Sequence, residues 1–180
     1  MTFPETMFEI KRLTIEDAEM LAKVAAKLYL EHFKYLWQDE GRNYAANSFD
    51  LQIVKSELEN RKILYFGVFF GADIIGFLKL CPENSLPMFA NQNAFEIERV
   101  YLKRESQGKG IGKKLMDFSI EIAQEMDKEV VWLKAVDSNE NAIRFYENLG
   151  FTKCGTSIIE LPNIKNELRG IIVMQKNIRI

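Results

Sequence analysis

The chain has 180 residues, with 24 Lys and Arg against 26 Asp and Glu, a formal charge of -2, and 47% hydrophobic residues. This composition is typical of a globular domain and excludes a disordered or fibrous chain. Proteins that bind nucleic acid mainly through its phosphates usually carry a basic excess, so no nucleic-acid partner is expected. A single domain over residues 1–180 would bury about 70% of the surface of the unfolded chain, enough to be stable without disulfides or metals.

Three features favour a cytoplasmic protein. The first ten residues contain two acids and no base, so they lack the cationic start of a secretion signal. The most apolar run, residues 63–70, is eight residues long and falls short of the roughly 18 to 20 that a membrane span needs, so no membrane partner is expected. Cys81 and Cys154 form no CxxC pair and are predicted to be reduced thiols.

In the first part of the chain, apolar periodicity predicts a strand followed by two helices. The strand covers 7–13, and the stretch Thr14-Ile-Glu-Asp17 offers a helix start with acids in the first turn. The next helix has apolar residues at three- and four-residue spacing, namely Leu21, Val24, Ala25 and Leu28. Asp50 is expected to cap a further helix that ends near Asn60. Between these helices, residues 31–44 are rich in aromatics and show no clear period.

The remaining sequence alternates predicted strands and helices. Two apolar runs within 62–80 flank Gly71-Ala-Asp73, which indicates a hairpin, and residues 81–93 are expected to form a loop. We then predict strands over 94–103, 129–136, 151–160 and 168–176, and helices over 109–127 and 139–149. The order βααβββαβαββ indicates an α/β (α+β) fold: a mixed, mostly antiparallel sheet of about seven strands flanked by about four helices. The crossover helix makes the strands at 94 and 129 parallel neighbours.

The most informative local pattern is Gln107-Gly-Lys-Gly-Ile-Gly-Lys113, between a predicted strand and a predicted helix. Glycines let the backbone approach a ligand closely, and the first N–H groups of a helix favour anionic oxygens. Residues 103–114 also hold five bases against one acid, a local charge of +4. We therefore interpret this loop as a phosphate site, the alternative being a flexible turn before a solvated helix. It lacks the GxxxxGK[ST] of a Walker loop, and Lys113 stands where a Rossmann fingerprint has its third glycine.

Three stretches together resemble the GNAT N-acetyltransferase superfamily, and within it the PaiA-like acetyltransferases of the polyamines spermidine and spermine. They are Glu96-Ile-Glu-Arg-Val-Tyr-Leu102, the glycine loop, and Asn139-Glu-Asn-Ala-Ile-Arg-Phe-Tyr146-Glu-Asn-Leu-Gly-Phe151. The resemblance implies the GNAT fold, with acetyl-CoA as the cosubstrate.

The same resemblance implies where acetyl-CoA binds. The backbone of the 94–103 strand would pair with the pantetheine arm, the glycine loop would hold the pyrophosphate, and the start and middle of the 139–149 helix would contact the pantetheine and the thioester sulfur. The residues on the pantetheine arm would be Val100, Tyr101 and Leu102. Those on the pyrophosphate would be Gln107, Gly108, Lys109, Gly110, Ile111, Gly112 and Lys113. Asn139 would contact the pantetheine, and Tyr146 would lie near the thioester sulfur.

Acetylation of an amine requires a proton acceptor, because a lysine-like amine with a pKa of about 10.4 is almost fully protonated at pH 7. Glu96 and Glu98 share one face of the predicted strand, and either could be the base, directly or through water. The family resemblance favours Glu96, which lies 11 residues before Gln107. Each could instead attract a cationic acceptor or pair with Arg99. Tyr146 is the candidate proton donor to the departing thiolate, although its helical face also fits simple core packing. A backbone N–H of the Val100 strand would stabilise the oxyanion.

The expected acceptor is a small polyamine. The nearby acids Glu31, Asp39 and Glu40 would suit it, although a charged surface loop explains them equally well. His32 is the only histidine; it is expected to be structural or solvated, the alternative being that it lines an acceptor pocket. No metal site is predicted for one histidine and two distant cysteines. The alternatives are a protein N-terminal or lysine acetyltransferase and a non-catalytic acyl-CoA sensing module. Either a monomer or a homodimer is compatible with the sequence.

Overall fold

The computed structural model describes residues 8–178, so Met7 of the first predicted strand lies outside the described part. Seven strands are described: β1 (Phe8–Arg12), β2 (Leu64–Phe70), β3 (Asp73–Cys81), β4 (Ala94–Leu102), β5 (Val130–Val136), β6 (Thr152–Ile158) and β7 (Gly170–Asn177). Within the same residues there are five α-helices: α1 (Ala18–Phe33), α2 (Arg42–Ser48), α3 (Leu51–Glu59), α4 (Ile111–Glu125) and α5 (Glu140–Asn148). The strands form one sheet in the order β1-β2-β3-β4-β5-β7-β6, which confirms the predicted mixed architecture.

Helix α2 is the element that the periodicity does not predict, so three helices rather than two separate β1 from β2. The Asp39 carboxylate accepts the backbone N–H groups of Gly41 and Asn43, each at 3.1 Å, and thereby starts the helix. Since α2 is seven residues long and buries only Ala45, it is too short to show a helical repeat. Asp50 accepts the Gln52 N–H at 2.8 Å and caps α3 as predicted.

Strands β4 and β5 are parallel neighbours, as predicted, but they pair over only three residues. The pairs run from Ala94 with Val130 to Glu96 with Trp132. Beyond Glu96, β4 continues to Leu102 and β5 to Val136 without pairing. The two strands therefore diverge and leave a gap in the middle of the sheet.

The helices cover opposite faces of the sheet. Helices α1, α2 and α3 pack with Tyr65 and Phe77 in one apolar cluster, on what we call the α1 face. Helices α4 and α5 pack with Phe95 and Val131 in another, on the α4 face. Burial of such large side chains contributes about 2 kcal/mol each. Both faces of the central strands are consequently covered.

A bulge in β4 changes which side chains face the α1 face. Lys79 pairs with Arg99, but the next residue, Leu80, pairs with Ile97, so Glu98 is an extra residue in the strand. The Arg99 guanidinium lies 4.8 Å from the ring centroid of Phe49, beside α2. The bulge thus places Arg99 on the same face as Glu98, where strict alternation would have put it on the other.

The cysteines and the lengths of the helices bear on two further predictions. Cys81 and Cys154 are free thiols, as predicted. No helix within residues 8–178 is both long enough and apolar enough to cross a membrane.

Candidate active site

The backbone of β4 exposes hydrogen-bonding groups to the gap. The Lys103 N–H donates to the Ile75 carbonyl at 2.8 Å, and backbone groups alternate in direction along an antiparallel strand. Tyr101 therefore directs its backbone groups toward β3, whereas Val100 and Leu102 direct theirs into the gap. Of the three residues predicted to pair with pantetheine, these two have the suitable backbone orientation.

His32 connects the last turn of α1 to the end of β4. Its Nε2 lies 2.6 Å from the Leu102 carbonyl oxygen. Because a carbonyl can only accept, Nε2 carries the proton and donates. This contact gives His32 the structural role expected from the sequence, and it leaves Val100 as the gap-facing residue whose N–H and C=O are both available to a ligand.

The glycine loop leaves open space at the start of α4. Gly108 and Gly110 adopt positive φ angles of +72° and +77°, and a Cβ at either position would have no atom within 4 Å. Gly110 precedes the first residue of α4, Ile111, so the N–H groups of the first turn have no partner within the helix. These N–H groups and the helix dipole favour an anion in the open space above the loop.

The bases around this loop contribute less charge than their number suggests. Lys113 Nζ pairs with Asp117 at 2.6 Å. Arg104 Nη2 donates to the Glu31 carbonyl, and the Arg104 N–H donates to the Glu31 carboxylate, both at 2.8 Å. Arg104 and Lys113 are therefore engaged by other residues, and Lys114 lies over an aromatic ring. The backbone amides at the start of a helix are the groups here that are best suited to an anion.

Glu96 and Glu98 occupy different environments. Glu96 is 4% exposed, accepts a hydrogen bond from Asn84 Nδ2, and has its pKa raised by burial. Burial acts on Glu98 as well, but Lys79 at 2.9 Å and Arg99 at 3.4 Å bring the pKa of Glu98 below its usual value. Glu98 is thus a paired anion, and Glu96 is the carboxylate that accepts a proton more readily.

A buried polar network supports this difference, and sequence reasoning did not predict it. Lys79 is 3% exposed and contacts Glu57 at 2.7 Å as well as Glu98. The Tyr65 hydroxyl donates to Glu57, and Cys81 Sγ donates to Glu98 at 3.1 Å. A lysine within the otherwise apolar run of β3 was the available signal, because a buried lysine requires a carboxylate partner.

The network brings together three groups that can ligate metals. The ligand atoms of Cys81, Glu96 and Glu98 lie within 4.8 Å of one another. Glu98 is already paired with Lys79. Burial, and then the charge of Glu98, raises the pKa of the Cys81 thiol. The thiol is therefore protonated at neutral pH, and the arrangement favours a hydrogen-bonded network.

Tyr146 approaches the gap from the α4 face. Its ring packs against those of Phe145 and Phe151, with centroids 5.3 and 6.1 Å away. Burial raises the pKa of Tyr146 to about 12, so its hydroxyl is protonated at neutral pH. Tyr146 packs against the same apolar cluster as Leu133 and Ala135, which belong to the part of β5 that no longer pairs with β4.

Asn139, predicted to contact pantetheine, begins α5. Its Oδ1 accepts the Ala142 N–H at 3.2 Å, which caps the helix. The side-chain oxygen is therefore occupied, and only Nδ2 is left to donate to a ligand.

The acids expected to attract a polyamine have other partners. Asp39 accepts the Gly41 and Asn43 N–H groups at the start of α2, Glu31 accepts from Arg104, and Glu40 is exposed and lies 3.6 Å from Arg42. The aromatic segment beside them packs as a wall on the α1 face, with Tyr44 stacked on Tyr29 at 4.5 Å. The structure therefore supports the simpler interpretation of these acids, as charged groups of the surface.

Comparison with known proteins identifies the family. The profile of the Acetyltransferase (GNAT) family matches residues 23–151, which include both the gap and the glycine loop. This chain belongs to the GNAT acetyltransferase family. The family resemblance of the three sequence stretches is confirmed.

Two relatives of this GNAT protein match over part of their length. An uncharacterized N-acetyltransferase of the pepI 3′ region of Lactobacillus delbrueckii subsp. lactis is 36% identical over 89 residues, 49% of this chain and 51% of the relative. The spermidine N(1)-acetyltransferase of Thermoplasma acidophilum is 35% identical over 116 residues, 60% of this chain and 65% of that protein. The chain thus spans between about half and two thirds of these relatives.

A solved structure extends the similarity to nearly the whole fold. The PaiA N-acetyltransferase from Thermoplasma acidophilum, solved in complex with coenzyme A, superposes with a TM-score of 0.71. The match covers 94% of this chain and 98% of that one at 23% identity. The predicted GNAT fold is confirmed.

Proposed function

We propose that this protein transfers the acetyl group of acetyl-CoA to a primary amine by direct attack in a ternary complex. One observation carries the proposal: Glu96 from the α1 face and Tyr146 from the α4 face both flank the region where β4 and β5 diverge. A buried carboxylate and a protonated phenol at one gap supply the proton acceptor and the proton donor that amide formation requires.

Acetyl-CoA fits the groups that surround the gap. The gap-facing N–H and C=O of Val100 would pair with the amide groups of the pantetheine arm, as would the free N–H of Leu102. The amides of residues 107–113 would hold the pyrophosphate in the open space above Gly108 and Gly110. Asn139 Nδ2 would donate to the pantetheine from the opposite side. When bound, acetyl-CoA supplies the acetyl group and a thiolate leaving group.

The residues of the gap would move the protons. Glu96 takes one proton from the ammonium group of the acceptor, directly or through a water molecule, and so frees the nitrogen lone pair. The nitrogen then bonds to the acetyl carbonyl carbon, the carbon–sulfur bond breaks, and Tyr146 gives a proton to the sulfur. The nitrogen then loses its second proton, which returns through solvent to the Tyr146 phenolate, and Glu96 releases its proton to solvent. The Val100 N–H is placed to donate to the carbonyl oxygen as negative charge develops there.

The first acceptor class to test is a polyamine, because the Thermoplasma acidophilum relative is a spermidine N(1)-acetyltransferase. A second class is the amine of a protein N-terminus or lysine, and the charges of the site favour it. Lys79 and Arg99 balance Glu57 and Glu98, which leaves Glu96 as the acid without a cationic partner within 4 Å among the described residues. A polyamine has several positive charges, whereas a peptide amine brings one.

A CoA-release assay over spermidine, spermine, free amino acids and peptides with free N-termini tests the proposal. Release with spermidine and not with peptides selects the polyamine, and the reverse selects the protein acceptor. Glu96→Gln should abolish most of the release in either case. Binding of acetyl-CoA with no turnover on any amine would overturn the proposal in favour of a non-catalytic acyl-CoA sensing module.

A further inference from the structure

We propose that Asn84, in the loop between β3 and β4, is a positioning residue that holds the Glu96 carboxylate with one oxygen free to accept the proton of the acceptor amine. The inference rests on the proposed function and adds a residue that neither the family pattern nor the sequence analysis assigns.

The hydrogen bond from Asn84 makes the two carboxylate oxygens of Glu96 different. Asn84 Nδ2 donates to Oε2, whereas Oε1 makes no hydrogen bond to any residue within 8–178. A side-chain amide that binds one carboxylate oxygen fixes the rotation of the carboxylate. Oε1 is then the oxygen that takes the proton.

The loop that carries Asn84 is anchored to β5 and to the segment just before β5. Trp132 Nε1 donates to the Asn84 backbone carbonyl at 3.2 Å. Lys128 Nζ bridges two other positions of the loop, Glu83 Oε1 at 3.1 Å and Asn93 Oδ1 at 2.9 Å. The buried Phe89 ring packs on Trp132 with centroids 6.0 Å apart. Asn84 is consequently held in place independently of its contact with Glu96, as a preorganised second layer of a site requires.

Among the groups that face Glu96, Asn84 is the one that binds it directly. Glu98 lies on β4 with Glu96, Lys79 lies on β3, and Lys134 lies on β5; the charges of these three residues act on the pKa of Glu96. Cys81, also on β3, lies close to Glu96. Burial and Glu98 disfavour the ionised form of Glu96, while the Asn84 hydrogen bond favours it. Loss of the Asn84 donor should therefore make Glu96 harder to ionise.

The test compares Asn84→Ala with the wild type in the pH dependence of kcat/KM. The backbone carbonyl that Trp132 binds is still present in the variant, so the loop anchor is retained. Because a hydrogen bond to a charged group is lost, the acidic limb should move to higher pH by about one unit. Asn84→Asp, which keeps the size but places a second carboxylate against Glu96, should move it further in the same direction.

Asn91→Ala is the matched control, since Asn91 is an exposed asparagine of the same loop, and it should leave the acidic limb in place. In a Glu96→Gln background, Asn84→Ala should change kcat by less than about twofold, because the carboxylate that it positions is gone. An unshifted acidic limb in both Asn84 variants, with wild-type unfolding midpoints, would overturn the inference.

A second readout needs no acceptor. The carboxyl carbon of Glu96, assigned in ¹³C NMR spectra by comparison with Glu96→Gln, is titrated in the wild type and in Asn84→Ala. An upward shift of its pKa in the variant supports the positioning role even if no amine is acetylated, in which case only the proposed function fails. An unchanged pKa rejects the positioning role whatever the activity.

Discussion

The two faces of the sheet differ in chemistry where β4 and β5 part. On the α1 face, Glu57, Lys79 and Glu98 form buried or half-buried ion pairs, and Glu98 lies close to Glu96. On the α4 face, the surroundings are apolar, and Tyr146 brings a hydroxyl among Phe145 and Phe151. The charges that could serve the acceptor are therefore concentrated on one face.

Burial has opposite consequences for the two proposed proton carriers. It raises the pKa of both Glu96 and Tyr146. For a carboxyl group, a raised pKa makes a stronger base at neutral pH, whereas for a phenol it ensures that the proton is still present to be donated. One physical effect thus prepares an acceptor on one face and a donor on the other.

The largest effect should follow from removing the cation of the α1 face. Lys79→Met leaves Glu57 and Glu98 facing each other without their shared partner, so the free energy of unfolding should fall by about 3 kcal/mol or more. Urea unfolding monitored by circular dichroism measures it. Addition of Glu57→Gln should restore part of the loss. A fall below about 1 kcal/mol would show that solvent already screens these charges.

The next effect concerns the proposed base. Glu96→Gln should lower kcat by about 100- to 1,000-fold, because proton acceptance is lost, while the acetyl-CoA dissociation constant stays unchanged. The variant should also unfold at a slightly higher temperature at pH 7. Since the folded-state pKa of Glu96 is raised, its ionisation destabilises the fold as the pH rises through that value, and Gln cannot ionise.

Glu98→Gln is the matched comparison for this prediction. Glu98 is a paired anion, so its loss should cost stability more than turnover. The lowered pKa of Glu98 stabilises the wild type above its unfolded-state pKa of about 4.3, and that contribution disappears as the pH falls through the folded value. Equal losses of kcat in the two variants would remove the distinction between Glu96 and Glu98.

The α4 face should show a smaller effect on turnover. Tyr146→Phe should lower kcat by about 10- to 100-fold, because the thiolate is a tolerable leaving group without a proton, and should change CoA affinity by less than about twofold. Because the pKa of Tyr146 is about 12, its deprotonation should not reduce the wild-type rate between pH 6 and 10. If Tyr146→Phe turned over as fast as the wild type throughout that pH range, Tyr146 would be assigned to core packing alone.

The smallest effect should fall on donor binding at the glycine loop. Gly110→Ala strains a left-handed backbone position by about 1 kcal/mol, so the CoA dissociation constant should rise about fivefold at unchanged kcat. Lys113→Ala should change it less than Gly110→Ala, because Lys113 is paired with Asp117. Isothermal titration calorimetry with CoA measures both. A larger loss in Lys113→Ala would mean that side-chain charge, rather than backbone amides, holds the phosphates.

Several elements were predictable because their signals are local. The Asp50 cap of α3, the β2–β3 hairpin and the glycine loop before α4 all follow from a few adjacent residues. Helix α2 was not predicted, because a helix of seven residues is too short to show an apolar repeat. Its start is marked only by the Asp39 carboxylate, which accepts two nearby backbone N–H groups. The acids Glu31 and Asp39 were available to a polyamine in the sequence but are engaged by other groups in the fold.

The sequence by itself determined the family, the sheet with its crossover, and the residue types at the gap, since periodicity and adjacent motifs encode them. Only the tertiary structure decided how the two glutamates differ. That difference arises from Lys79 and Glu57, from the bulge at Glu98 and from Asn84 in a separate loop. Charge balance and burial depend on distances between groups far apart in the chain, and no local pattern specifies those distances.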